Sequence, residues 1–341
     1  MKKTHEVWGL YLVLLMLMSG AVILGSGITQ EASHAGSPLR RLRQGELVLA
    51  ADASSIPPID VVDAMRLDPD ERPVGWQGEV LVLGVAINGE ARAYPVPLLS
   101  HHEVVNDVLG GEPIAVTWCP LCYSPVVFHR FAGRERTFEA SGYLYRNNLV
   151  MLDRETGTLW SQLLGQALRG ALRGMRLVRI PAYLTTWSEW QQRHPNSTIL
   201  ANLDHHGGVV RDPYEGYYRS SFAGLLGAII ADQRLAAKTI VVGVDYGLGS
   251  FAVSLHKLSH RDPITMELQH TLFLLYLDPL LHSPVGFRLD ATERLHPGRG
   301  PTGFARSADL VLQARMVPVT LSYWFAWLDH NPDTQLFHPD A

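Results

Sequence analysis

The chain repeats itself. With Thr239 set against Val80, a displacement of 159 positions, the stretch from Val80 to Phe128 lies over Thr239 to Phe287 without a gap. Leu83-Gly84-Val85 meets Val242-Gly243-Val244, Pro120-Leu121 meets Pro279-Leu280, and Ser124-Pro125-Val126 meets Ser283-Pro284-Val285. A second landmark agrees: Trp187, Trp190 and Pro195 are spaced as Trp324, Trp327 and Pro332 are. Two copies are too few for a solenoid, so the repeat predicts two related lobes in tandem. Cys119 and Cys122, the only cysteines, sit in the first copy, and the second carries Asp278 and Leu281 in their places. One scaffold is thus built twice, with thiols in one copy only.

Short apolar runs broken by glycine and proline give the fold class. Val80–Ile87 is followed by Asn88-Gly89, a primed hairpin turn, and then by Ala91–Pro95. Val104–Leu109, Gly110-Gly111 and Pro113–Trp118 read as a second hairpin, whose return strand delivers Cys119. A third is expected from Val126–Phe131 to Arg136–Ala140 about Ala132-Gly133-Arg134, and a fourth from Leu149–Asp153 to Thr158–Gln162. Helical periodicity is confined to short pieces, chiefly Thr186–His194, with a short helix within Val96–Val105. The expectation is a mainly β or α+β protein of two tandem β-rich lobes, mostly antiparallel hairpins with a few short helices. The Trp-x-x-Trp pairs, one helical turn apart in both copies, read as core packing.

The N-terminus predicts export. Met1-Lys2-Lys3 precedes Val7–Ile28, which holds no charged residue and is rich in Leu, Met and Val. That length suits a signal peptide or a membrane anchor, and no clean Ala-x-Ala cleavage site follows. The chain is therefore divided into a signal or anchor segment at 1–30, a polar tether at 31–55 and a thiol-bearing lobe at 56–205. A connector at 206–238 and a degenerate second lobe at 239–341 complete it. The protein is expected outside the cytoplasm, secreted or held to the membrane by the N-terminal segment. A net charge of −4 with no lysine or arginine run argues against a nucleic-acid partner.

Outside the cytoplasm a lone cysteine pair tends to oxidise or to hold metal. Three roles stay open for Cys119 and Cys122. A proline and strand formers follow the second thiol where a redox helix would begin, so strand–turn–strand is the expected geometry, resembling a metal knuckle. Copper(I) or zinc would suit thiolate with imidazole, and His102 and His129 are the candidate further ligands, because both become arginine in the second copy. His101, matched by His260, reads as scaffold. The second role is thiol–disulfide exchange with Cys119 as the attacking thiol. The third is a non-catalytic binding or assembly module whose cysteines stiffen a turn. Glu103, beside His102, is the candidate general base or ligand orienter. Asn106, Asp107, Arg146, Asn147, Asn148, Asp153 and Arg154 are further polar candidates, with turn formation as the competing role.

His102-Glu103-Val104-Val105-Asn106-Asp107, Val116–Ser124 with its Cys-Pro-Leu-Cys core, Arg146–Arg154 and Trp324-Phe325-Ala326-Trp327 together resemble the uncharacterised domain-of-unknown-function family number 3179. The resemblance runs from about Ile56 to Phe337 and implies no settled activity. The second half departs from the family pattern at Ala252-Val253-Ser254 and beyond the equivalent of Asp153-Arg154.

Overall fold

The computed structural model describes residues 42–43, 45–67, 79–201, 211–247, 249–258, 263–289 and 314–337. The N-terminal apolar segment, residues 31–41 and 44 of the tether and His260 lie outside the described residues.

The fold is mainly β, with antiparallel pairing dominant and a few short helices. The turn residues act as their chemistry dictates: Asn88 and Gly89 take φ of 49° and 84°, and Gly110 and Gly111 take 57° and 79°. Helix Val96–His102 and helix Trp187–Arg193 form where expected, the second closed by a capping box between Thr186 and Glu189.

The repeat is visible in the strand order. One sheet runs Tyr183–Thr186, Leu81–Ile87, Glu90–Pro95, Thr198–Leu200, Ala64–Arg66; its counterpart runs Thr320–Tyr323, Ile240–Asp245, Ser250–Ser254, Gln335–Leu336. Gly84 faces Ala93 as Gly243 faces Ala252, and both sheets add one parallel strand at the same place. A second pair matches Arg179–Ile180, Ser124–His129, Glu112–Cys119, Val104–Leu109 with Ala314–Val317, Pro284–Leu289, Thr271–Leu277, Ile264–Leu268. The tryptophan helices repeat too. A Cβ at Gly84 would stand 2.3 Å from the Trp190 ring, and one at Gly243 2.4 Å from the Trp327 ring. Glycine is required at both because the indole lies flat on the backbone. The two indole N–H groups donate to Ser197 Oγ at 2.8 Å and to Thr334 Oγ1 at 2.9 Å.

Two expectations are corrected. The copies do not stand as two tandem lobes. A fifth sheet, Leu47–Leu49, Phe138–Tyr145, Asn148–Asp153, Leu159–Ser161, Gln166–Arg169, joins the other four, and the five sheets take a propeller-like arrangement. The reason is that the sheet built on Leu81–Ile87 has two apolar faces to cover. Leu83 and Val85 enter one core and Val82 another, so a single sheet pair cannot bury its own surface. The cluster around the cysteines accordingly includes Tyr323, Phe325 and Ala326 from the second half. The third expected hairpin is also absent: Ser124–His129 and Phe138–Tyr145 belong to different sheets, joined only by a bridge between Phe131 and Glu135. The buried Arg130 guanidinium takes the Ile114, Asp107 and Arg136 carbonyls at this corner and turns the chain away.

Candidate functional site

Strand Glu112–Cys119 is buried from Ile114 onward and carries Cys119 at its end. The Cys122 amide donates to the Cys119 carbonyl at 3.2 Å and the Tyr123 amide to the Pro120 carbonyl at 3.3 Å. Tyr123 then takes a left-handed φ of 54°, and the chain leaves along Ser124–His129. The expected strand–turn–strand is what forms. Both thiols are unbridged, and they are 1% and 0% exposed.

The two sulfurs differ in environment. Burial pushes the Cys119 thiol up, but hydrogen bonds from the Cys122 thiol and from the amides of Leu149, Cys122 and Leu121 outweigh it and hold it below the ordinary cysteine value. Cys122 is pushed well above that value by burial first, then by giving its proton to the bond with Cys119 and by the charge there. The Asn147 carbonyl lies 3.3 Å from the Cys122 sulfur, as the alternative acceptor for its single proton, and 4.0 Å from the Cys119 sulfur.

The second copy shows what this turn is built to hold. Asp278 stands where Cys119 does, and its Oδ1 accepts the amides of Leu280 and Leu281, both at 2.9 Å. Those residues are the equivalents of Leu121 and Cys122, and His282 repeats the left-handed φ of Tyr123 at 46°. Successive amides aimed at one side chain form an anion-binding concavity. A carboxylate fills it in one copy, and in the other the occupant is a sulfur.

Neighbouring elements complete the site. Glu103 ends helix Val96–His102 in the left-handed region at φ 57°, and its carbonyl accepts the Trp118 amide at 2.9 Å. Its carboxyl is buried; burial first, then the charge at Cys119, raise it well above the usual carboxylate range and favour its protonated form. From the fifth sheet, Asn147 and Asn148 fold over the sulfurs. Asn148 is fixed by its amide bond to Gln162 at 2.8 Å, and Gln162 in turn bonds Ser124 and Thr117.

A strap at 211–239 lies across the dithiol. Tyr217 O–H donates to the Leu121 carbonyl at 2.7 Å and accepts the Gly224 amide at 2.9 Å. The Asn147 side chain accepts the Leu226 amide and donates to the Gly227 carbonyl, both at 2.7 Å. Asp329 accepts the amides of Ile229 and Ile230. Lys238 Nζ bonds the Tyr217 carbonyl and sits 3.9 Å from the centre of its ring. Burial raises Tyr214, with the charges of Glu103 and Cys119 adding to it. Burial also raises Tyr217, with Cys122 and Cys119 adding to it.

The expected site residues are therefore only partly gathered. Cys119, Cys122 and Glu103 come together, with Asn147 and Asn148. The His102 ring is turned to the Pro57 carbonyl at 2.7 Å, and His101, as expected of scaffold, to the Arg211 carbonyl at 2.8 Å. His129 pairs in register with Ile114, whereas Cys119 pairs with Ser124. Five residues of strand, about 17 Å, separate the histidine from the turn. Asp107 instead anchors Arg92 and Tyr94, and Asn106 ties Asp60 to the Phe138 backbone. Among the described residues no group of three or more His, Cys, Asp or Glu side chains is placed to hold a metal ion. The strap tyrosines were missed because a segment without periodicity reads as a connector; the aromatic run Tyr214-Glu215-Gly216-Tyr217-Tyr218 was the signal available. Asp329 was missed because it lies on the second tryptophan helix, Trp324–His330, which was read for its packing alone.

No curated protein and no solved structure matches the chain. A family model described as "Protein of unknown function (DUF3179)" matches residues 54–334. The matched span takes in the thiol turn, the fifth sheet from Phe138 to Arg169, the strap and the second tryptophan helix; the chain belongs to the DUF3179 family.

Proposed function

We propose that the protein is a dithiol–disulfide exchanger acting outside the cytoplasm, with Cys119 as the attacking thiol and Cys122 as the resolving one. The observation that carries this reading is the amide concavity, which holds the Asp278 carboxylate in one copy and Cys119 in the other. An anion site filled by sulfur favours a thiolate, and the thiolate is the nucleophile. Cys119 attacks one sulfur of a substrate disulfide, forming a mixed disulfide and expelling the other sulfur as thiolate. Cys122 then loses its proton and attacks the Cys119 sulfur, which releases the second substrate thiol and leaves a Cys119–Cys122 disulfide. Two electrons pass to the substrate, and the reverse sequence oxidises a dithiol. Glu103, whose buried carboxyl holds its proton more tightly than an ordinary carboxylate, is assigned the delivery of a proton to the expelled thiolate. Burial of both sulfurs requires the Tyr217 strap to lift before a substrate enters.

The test uses glutathione disulfide and intact mass spectrometry. Cys122→Ala is expected to trap one glutathione on Cys119, Cys119→Ala to trap none on Cys122, and the unaltered chain to lose two hydrogens. Failure of Cys122→Ala to form the adduct when the unfolded variant does so refutes the assignment.

A second reading, a soft metal ion on the two thiolates, is favoured by the knuckle-like turn. Zinc lacks its third and fourth donors among the described residues. Copper(I), which takes soft thiolates, fits the pair better. Elemental analysis of the purified chain, with copper at one per chain and lost in Cys119→Ala, would support this reading over exchange.

A further inference from the structure

The strap that covers the dithiol has an outer face with a chemistry of its own. From Ser220 to Ala231 the chain carries no charge, and it reads Ser-Ser-Phe-Ala-Gly-Leu-Leu-Gly-Ala-Ile-Ile-Ala. Phe222 is 74% exposed, Leu225 61%, Leu226 41% and Ile229 51%. Four large exposed apolar side chains within eight residues are a concentration that the scattered single residues of an ordinary surface do not show. The backbone beneath is tied down, to Asn147 through Leu226 and Gly227 and to Asp329 through Ile229 and Ile230. The apolar side chains are thus held outward by a fixed backbone.

The position of the patch says what covers it. The described chain begins at Leu42, which packs with Leu47 on the cluster of Tyr145, Val150, Leu159 and Leu168. The Tyr145 ring meets His330 edge-on at 5.5 Å, and His330 follows Asp329, the residue that holds Ile229 and Ile230. Leu42, the first described residue, therefore lies on the side of the body that carries the patch. From Ile28 to Leu42 the chain spans at most about 50 Å, so an inserted Val7–Ile28 holds Leu42, and the side that carries it, within that distance of the bilayer.

We infer that the strap patch docks on a lipid bilayer, inserting Phe222, Leu225, Leu226 and Ile229 into the headgroup boundary, as exposed apolar segments do at an interface. The cover of the dithiol then faces the membrane. The inference draws on the reading of Val7–Ile28 as a membrane-inserting segment.

The full chain, carrying benzoylphenylalanine at position 222, 225 or 108, is reconstituted with phosphatidylcholine–phosphatidylglycerol vesicles containing a clickable lipid, then irradiated. Position 108 is the control, since Val108 is 53% exposed on the strand Val104–Leu109. Lipid labelling at 222 and 225 is expected to exceed that at 108, because an inserted side chain stays among lipid while an exposed one off the patch only collides with it. Equal labelling at all three positions overturns the inference, as does labelling of a second copy or another protein in place of lipid. Intact mass of the same sample reads the N-terminus. Excess labelling with residues 1–28 removed supports docking and overturns only the anchor. Absent labelling with them retained overturns docking alone.

Discussion

Replacing Tyr217 with Phe asks whether the strap gates the dithiol. The phenol oxygen makes two bonds, donating to the Leu121 carbonyl at 2.7 Å and accepting the Gly224 amide at 2.9 Å. The first holds the Cys-x-x-Cys turn to the strap; the second braces the strap itself. Each contributes about 0.5–1.5 kcal/mol net, so Tyr217→Phe should lower the free energy of lifting the strap by about 1–3 kcal/mol. The thiols are buried, so a reagent reaches them only in the lifted state, and with fast closing the labelling rate follows its population. At about 1.4 kcal/mol per factor of ten, alkylation by N-ethylmaleimide should rise between about 5-fold and about 100-fold. The Lys238 contact to the Tyr217 carbonyl survives the change, and an unchanged circular dichroism spectrum would show that the fold does too. An alkylation rate within 2-fold (about 0.4 kcal/mol) of the unaltered chain refutes the gate. A rate raised equally in Lys238→Met and in a variant remote from the strap, Val108→Ser, would assign the effect to global loosening.

Three further outcomes follow from the same geometry. Glu103 has its folded value raised by burial, so the folded state binds more protons than the unfolded one above the usual carboxylate range, near 4.5. Stability must then fall as pH rises from there toward the raised value. Glu103→Gln removes that dependence, and urea midpoints should show the variant gaining on the unaltered chain as pH rises above 4.5; a gap independent of pH contradicts the assignment. Asp278→Ala strips the acceptor from the Leu280 and Leu281 amides. It should cost about 1–3 kcal/mol in urea unfolding while leaving Cys119 alkylation unchanged. Gly84→Ala and Gly243→Ala drive a methyl against Trp190 and Trp327 at 2.3 and 2.4 Å. Each should cost about 1–3 kcal/mol, and a large difference between them would break the equivalence of the two copies.

Much of the architecture was written in local pattern. Asn88-Gly89 and Gly110-Gly111 turn their hairpins because those residues tolerate positive φ. The repeat announced that one scaffold is built twice, though as two tandem lobes, and Gly84 with Trp190 and Gly243 with Trp327 show that repetition reached down to single contacts. The thiol turn, too, was legible as strand–turn–strand from the residues that follow Cys122. What the repeat could not convey is partnership between sheets. The sheet of Leu81–Ile87 is apolar on both faces, and which neighbour covers each face depends on contacts between residues far apart in the chain, as when the Tyr323 amide donates to the Cys122 carbonyl.

The site divides in the same way. Sequence alone identified the sulfur pair, the carboxyl of Glu103 and the position of Asp278 in the sulfur-free copy. It also nominated His102 and His129, since co-variation between copies carries no distance; strand register removed His129, and a bond to Pro57 occupied His102. Only the tertiary structure brought the Leu149 amide to Cys119, the Asn147 carbonyl to Cys122 and the Tyr217 strap over both. These partners come from a different sheet and from a segment with no regular period. Backbone amides and carbonyls look alike at every position of a sequence, so their convergence on one sulfur exists only once the chain has folded.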